Sequence, residues 1–316
     1  MNRKIHSWKG TYTALVTPFR DGQIDWPTVD RLIDRQLDAG IDGVVPCGST
    51  GESVTLTGAE HQRLVEAVIR RVDGRCKVIA GTGSSSTAHA IDLTQRAASA
   101  GADGALVVTP YYNRPTQEGL FRHYAAVADS ASIPIILYNV PARCAVDLQN
   151  ETILRLADRC ENIVAVKDAS GGVGRVSELA SHPRLAVLCG DDSLTLPMMS
   201  LGAVGVISVI SNLVPAWMKS LVDAVPSDPL AARNWHARAC GLADDIGRWG
   251  PNPLPIKTAM VLLGLLAEEF RLPLCPMGDE QRRHIQASMS QYLGREKELA
   301  IENERPSPQV AAVGAR

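Results

Sequence analysis

Through the first 210 residues, short continuous apolar runs alternate with longer stretches whose apolar positions recur every three or four residues. The runs are Thr11–Val16, Gly43–Pro46, Val78–Gly81, Ala105–Thr109, Ile135–Tyr138, Ile163–Lys167, Leu185–Cys189 and Val204–Ser208. They are apolar throughout rather than alternating, the pattern of strands covered on both faces of a parallel sheet. Between them, Val29, Leu32, Ile33 and Leu37 share one helical face, as do His61, Leu64, Val65 and Val68. Ala88, Ile91 and Ala98 follow the same period less strongly. This alternation predicts an α/β fold.

A weak internal echo sharpens the prediction. Ala39-Gly-Ile-Asp-Gly-Val44 returns as Ala100-Gly-Ala-Asp-Gly-Ala105, and more loosely as Leu201-Gly-Ala-Val-Gly-Val206. Each copy places Gly just past a helix, where a left-handed cap is wanted, and then begins a strand. Eight repeated units suggest closure into a (β/α)8 TIM barrel; an open doubly wound sheet is the alternative. Beyond Pro215 only helical patterns remain, such as Ile256, Ala259, Met260 and Leu263 on one face. The expected organisation is a barrel over 1–214, a C-terminal helical extension over 215–293, and a tail over 294–316. The tail is rich in Pro, Ser, Ala and charge, and disorder is expected there.

Composition narrows the function classes. The chain has 316 residues, enough for one barrel plus an extension. Lys and Arg number 32 against 34 Asp and Glu, with no basic stripe or charge block, so neither nucleic acid nor a membrane surface is an expected partner. No stretch approaches the roughly 20 apolar residues of a membrane helix, and Lys9 interrupts the N-terminus before a signal peptide could form. The seven cysteines are scattered, odd in number and without a Cys-x-x-Cys, which reads as reduced thiols in a cytoplasmic protein. The histidines show no metalloprotease spacing, so no catalytic metal is expected.

In a barrel of this kind chemistry sits at the C-terminal ends of the strands. Lys167 ends the sixth run. Burial there disfavours the ammonium and favours a nucleophilic amine, which attacks keto groups to form an iminium; the alternative is a rim lysine reaching solvent. Tyr138 ends the fifth run and could relay protons, or be a barrel tyrosine with a satisfied hydroxyl. Gly48-Ser-Thr-Gly-Glu52 offers two hydroxyls and clustered N–H groups for a carboxylate, or is an ordinary turn carrying helix-cap residues. Arg143 could clamp a second carboxylate, or pair with a helix end. Gly81-Thr-Gly-Ser-Ser-Ser-Thr87 lacks a phosphate-loop ending and reads as a turn with an N-cap near Ser86. Asp191-Asp192 reads as a helix N-cap rather than a metal site.

Taken together, these segments resemble the dihydrodipicolinate synthase family, within the pyruvate-dependent N-acetylneuraminate lyase superfamily. The resemblance runs from about Tyr12 to Met289. It is carried by Gly48-Ser-Thr-Gly-Glu52, Thr109-Pro-Tyr-Tyr-Asn-Arg-Pro115, Tyr138-Asn-Val-Pro-Ala-Arg143, Val166-Lys-Asp168, Gly190-Asp-Asp192 and Gly205-Val-Ile-Ser208. Asn252-Pro-Leu-Pro-Ile-Lys257 and Arg271-Leu-Pro-Leu-Cys-Pro276 also match.

The resemblance implies a Schiff-base lysine at Lys167, a proton-shuttling tyrosine at Tyr138, and relay partners at Thr50 and Tyr112. It places the pyruvate carboxylate at Ser49 and Thr50, the carboxylate of L-aspartate 4-semialdehyde at Arg143, and Gly190 and Ile207 along the site. The tyrosine matching Tyr112 reaches across from a neighbouring subunit in that family, which implies an oligomer, a homotetramer built as a dimer of dimers. The implied chemistry belongs to lysine (diaminopimelate) biosynthesis and calls for no metal and no organic cofactor. The family's synthases usually carry Thr where this chain has Ser49. Arg143 separates the chain from the sialic-acid lyases, which lack it. In lysine-inhibited members two helices supply a His and a Glu to the effector. Those places are Gly58 and His89 here, while Ser53, His61 and Tyr111 match, so weak or absent lysine inhibition is expected. The competing readings are another pyruvate-dependent aldolase or dehydratase acting on a sugar acid, and a non-catalytic barrel that senses a keto acid.

Overall fold

The computed structural model describes residues 7–294. Eight parallel strands close into a barrel: β1 (Gly10–Ala14), β2 (Gly43–Val45), β3 (Lys77–Gly81), β4 (Gly104–Val108), β5 (Ile135–Asn139), β6 (Ile163–Asp168), β7 (Ala186–Cys189) and β8 (Gly205–Ser208). Each expected apolar run overlaps one of them, with ends that differ by at most two residues. β1 pairs with both β2 and β8, which shuts the ring and removes the open-sheet alternative. A two-stranded ribbon, Phe19–Arg20 with Gln23–Ile24, sits in the loop after β1.

The repeated Ala-Gly-x-Asp-Gly motif has a structural basis. Gly40 (φ 71°) and Gly101 (φ 90°) are left-handed at the ends of their helices, a conformation that a Cβ disfavours. The Asp that follows then accepts a neighbouring backbone N–H: Asp42 from Thr11 and Asp103 from Val78, both at 2.8 Å. One sequence unit therefore ends a helix and ties its strand's start to the adjacent strand.

Helices α1 (Trp26–Asp38), α2 (Gly58–Val72), α3 (Thr87–Ala100), α4 (Gln117–Asp129), α5 (Asn150–Arg159), α6 (Val176–Ala180) and α7 (Thr195–Ser200) follow the first seven strands. The faces predicted for α1 and α2 are largely the buried ones. The face of α3 is rotated from expectation. Ala90, Leu93, Thr94 and Ala97 are buried while Ala88 is exposed, because an alanine-rich helix offers little contrast between its sides.

The helix Pro215–Ala224, α8, packs back onto the barrel. Thr11 donates its hydroxyl hydrogen to the Met218 carbonyl at 3.4 Å, and Lys219 lies 3.4 Å from Asp42. This helix follows β8 and packs on the barrel beside β1. The extension consists of α9 (Pro229–Gly247), α10 (Leu254–Leu262) and α11 (Asp279–Leu293). The expected tail falls, apart from Gly294, outside the described residues. All seven cysteines are free thiols, five of them buried.

Candidate active site

Alternation along a strand decides which side chains enter the barrel. On β5, Ile136 and Tyr138 point inward; on β6, Ala165 does, joining Tyr12, Leu188 and Ile207 in one apolar interior. Lys167, two residues beyond Ala165, shares that face at the top of its strand. The register sets Tyr138 directly opposite Lys167. Lys167 is 4% exposed and Tyr138 6%, and the lysine nitrogen lies 4.2 Å from the centre of the phenol ring. An ammonium at this distance is attracted to the ring face. The rim-lysine alternative, which needs a solvated nitrogen, is removed.

The loop after β7 brings carboxyls to the same end. Burial raises the Asp191 carboxyl above its usual range, opposed first by the charge of Lys167. Burial likewise raises Asp192, opposed by the Ser208 hydroxyl and two backbone N–H groups. Those N–H groups belong to Val209 and Ile210, at 3.1 and 2.9 Å from Asp192 Oδ2. The expected cap on the pair's own helix is not made, since Asp191 forms no side-chain cap there. Asp192 instead braces the loop after β8, a contact set by the fold and invisible in local sequence.

The Gly48–Glu52 turn follows β2. Its backbone closes on itself, Gly51 N–H donating to Gly48 O at 3.0 Å and Glu52 N–H to Ser49 O at 3.2 Å. Thr17 adds a hydroxyl bond to Gly51 O at 2.7 Å. Thr50 is 4% exposed and Ser49 is exposed. The helix-cap alternative for this turn fails, because α2 is capped by Thr57 with Glu60 in a reciprocal capping box. Ser86 caps α3 as expected.

A cavity of about 320 Å³ opens above the strand ends, a size that suits a small molecule. Ser49, Tyr138 and Arg143 line it together. Arg143 follows β5 on a helical turn and donates from Nη2 to the Asn252 carbonyl at 2.8 Å. Lys167, Thr50, Gly190 and Ile207 are not among its walls. Ile207 is fully buried in the barrel interior beside Tyr138. Gly190 donates its N–H to the Asp168 carbonyl at 2.8 Å, and a Cβ there would meet Ala169 Cβ at 2.7 Å. Tyr112 stands apart from its own chain's cavity. It is 92% exposed, with a left-handed φ of 72°, while its neighbour Tyr111 lines the wall. His61, a match to lysine-inhibited proteins, is buried with Nε2 2.8 Å from the Gly81 carbonyl. Among the described residues no group of three or more His, Cys, Asp or Glu is placed to hold a metal ion.

Sequence reasoning assigned no role to the part of this wall that comes from the extension. Asn252, Pro273 and Leu274 line the cavity there. The same is true of a fully buried ion pair, Glu52 Oε1 to Lys257 Nζ at 2.6 Å. The only signal for it was the appearance of both residues in family-like motifs, with nothing to pair them.

Comparisons with known proteins agree with this geometry. Residues 7–292 match the Dihydrodipicolinate synthetase family. The chain is 48% identical over 288 residues to the 4-hydroxy-tetrahydrodipicolinate synthase of Pelobacter propionicus, covering 90% of this chain and 99% of that one. It superimposes on the crystal structure of dihydrodipicolinate synthase from Aquifex aeolicus with TM-score 0.88 at 45% identity, covering 90% of this chain and 98% of the other. A chloride-inhibited dihydrodipicolinate synthase from Acinetobacter baumannii, complexed with pyruvate, gives TM-score 0.87 at 40% identity over 89% and 98% of the two chains. With a closed barrel, a lysine and tyrosine paired at its mouth, and a match over nearly all the described residues, this chain belongs to the dihydrodipicolinate synthetase family.

Proposed function

We propose that this chain condenses pyruvate with L-aspartate 4-semialdehyde to give 4-hydroxy-tetrahydrodipicolinate, through a Schiff base on Lys167. The carrying observation is the buried Lys167 nitrogen 4.2 Å from the Tyr138 ring, in a chain of this family. Lys167 Nζ attacks the keto carbon of pyruvate, and loss of water leaves an iminium. Tyr138 gives its hydroxyl proton to the departing water, the iminium acidifies the methyl group, and the resulting phenolate takes a proton from it to leave an enamine. The enamine carbon bonds to the aldehyde carbon of the second substrate, whose oxygen takes up a proton. The substrate's amine then displaces Lys167 and closes the ring.

Ser49 and Thr50 hold the pyruvate carboxylate, and Arg143 holds that of the semialdehyde. Gly190, bonded to the Asp168 carbonyl, and Ile207, packed beside Tyr138, support the reacting pair from behind. The exposure of Tyr112 supports its service to a neighbouring subunit's site beside Thr50, in a homotetramer. Action in the cytoplasm is the reading that the seven free thiols support; among the described residues no helix is long and apolar enough to cross a membrane. The test is reduction with borohydride in the presence of pyruvate, then digestion and mass analysis. Pyruvate is expected on the peptide carrying Lys167; trapping elsewhere, or none, refutes the reading.

A further inference from the structure

Glu52 and Lys257 lie 205 residues apart in sequence and are both wholly buried. Every polar atom of the pair is used. Glu52 Oε1 accepts from Lys257 at 2.6 Å, and Oε2 accepts the Arg271 backbone N–H at 3.2 Å. Lys257 also donates to the Glu269 carbonyl at 2.8 Å, and its nitrogen lies 4.8 Å and 4.6 Å from the centres of the Phe19 and Phe270 rings. Removing two charges from water is costly, and apolar residues of similar volume often serve stability as well or better. Stability alone therefore does not account for an ion pair here.

Its location does. Glu52 is the last residue of the turn that carries Ser49 and Thr50. Lys257 sits in the first turn of α10, with its N–H on the Pro253 carbonyl at 3.0 Å, one residue from the Asn252 carbonyl that holds Arg143. The Arg271 strap, also held by Glu52, leads directly into Pro273 and Leu274 of the cavity wall. We propose that Glu52 and Lys257 are positioning residues that fix the distance between the two carboxylate sites, joining the hydroxyl turn on the barrel to the Arg143 support on the extension. This rests on the reading of Ser49, Thr50 and Arg143 given above. Neither residue need touch substrate.

The test uses the full chain, with Glu52→Gln and the double variant Glu52→Gln/Lys257→Met, which leaves no unpaired charge buried. KM for each substrate, kcat and Tm are measured, with borohydride trapping of pyruvate alongside. Glu52→Gln should raise both KM values about 10-fold, less than the roughly 100-fold that a misplacement of about 1 Å can cost, while saturating pyruvate still traps at Lys167. The double variant should regain Tm but keep the raised KM values. A double variant with wild-type KM values overturns the proposal, whatever its Tm, because the pair is then a matter of stability only. If Glu52→Gln is too unstable to assay, the double variant decides alone. Failure of the unaltered protein to trap pyruvate at Lys167 removes the underlying reading, and this proposal with it.

Discussion

Replacing Arg143 by alanine separates the two halves of the proposed reaction. The side chain is exposed, and one hydrogen bond, to the Asn252 carbonyl, holds it at the cavity edge. Loss of such a group changes folding by no more than about 0.5 kcal/mol, so Tm should hardly move. Binding is different. A hydrogen bond to a charged partner contributes about 1.5–3 kcal/mol, and a guanidinium fork on a carboxylate reaches the upper end. Three kcal/mol is about a 100-fold loss in kcat/KM. That loss should fall on L-aspartate 4-semialdehyde alone, because Lys167 and the Ser49–Thr50 turn are untouched. Coupled reduction of the product measures it, with each substrate varied in turn. Pyruvate should retain its KM, and borohydride should still trap it on Lys167. Arg143→Lys should recover part of the loss, as a point charge replaces a fork. A variant that uses the semialdehyde normally would refute the assignment of Arg143 and leave a sugar-acid aldolase as the stronger reading.

Two further outcomes follow from packing and titration. In Gly81→Ala the new Cβ would lie 2.1 Å from the Cys47 carbonyl oxygen and 2.9 Å from Gly48 N, both backbone. Relief requires moving the Gly48–Glu52 turn, so a destabilisation of about 1–3 kcal/mol is expected; an unchanged Tm in calorimetry would show that the turn yields freely. Burial pushes the His123 imidazole down to about 4. The unfolded chain then binds a proton near pH 6.5 that the folded chain refuses. Stability from this group is full above about pH 6.5 and falls by up to about 1.4 kcal/mol per pH unit down to about pH 4. His61 and His236 are shifted the same way by burial. Urea melts of His123→Asn beside the parent isolate this share, and parallel pH profiles for the two would contradict it.

The barrel was legible because its strands are buried on both faces. Runs such as Ile135–Tyr138 and Ile163–Lys167 need no tertiary information to be seen as strands, and their last residues name the catalytic candidates. Alternation then aims Tyr138 and Lys167 inward together. Legibility fails where the decisive neighbour is distant or the local contrast is low. The alanine-rich α3 could not show its buried face. α8 reads as one more helix after the strands end, and its contacts with Thr11 and Asp42 could not be seen in local pattern. Asp192 sits where a cap belongs, yet bonds to residues 17 and 18 positions later. The Asn252 carbonyl reaches Arg143 over 109 residues, a distance at which sequence pattern carries no pairing information.

The reach of Glu52 to Lys257 also bears on how the chain is made. A ribosome that has released the barrel has not yet released the lysine that neutralises the carboxylate beside the Ser49–Thr50 turn. Until then that carboxylate needs water, and the neighbouring turn has no wall to lean on. The mouth thus acquires its shape only once Lys257 has emerged, and a chain truncated before Lys257 would hold a complete ring of strands around an unfinished entrance.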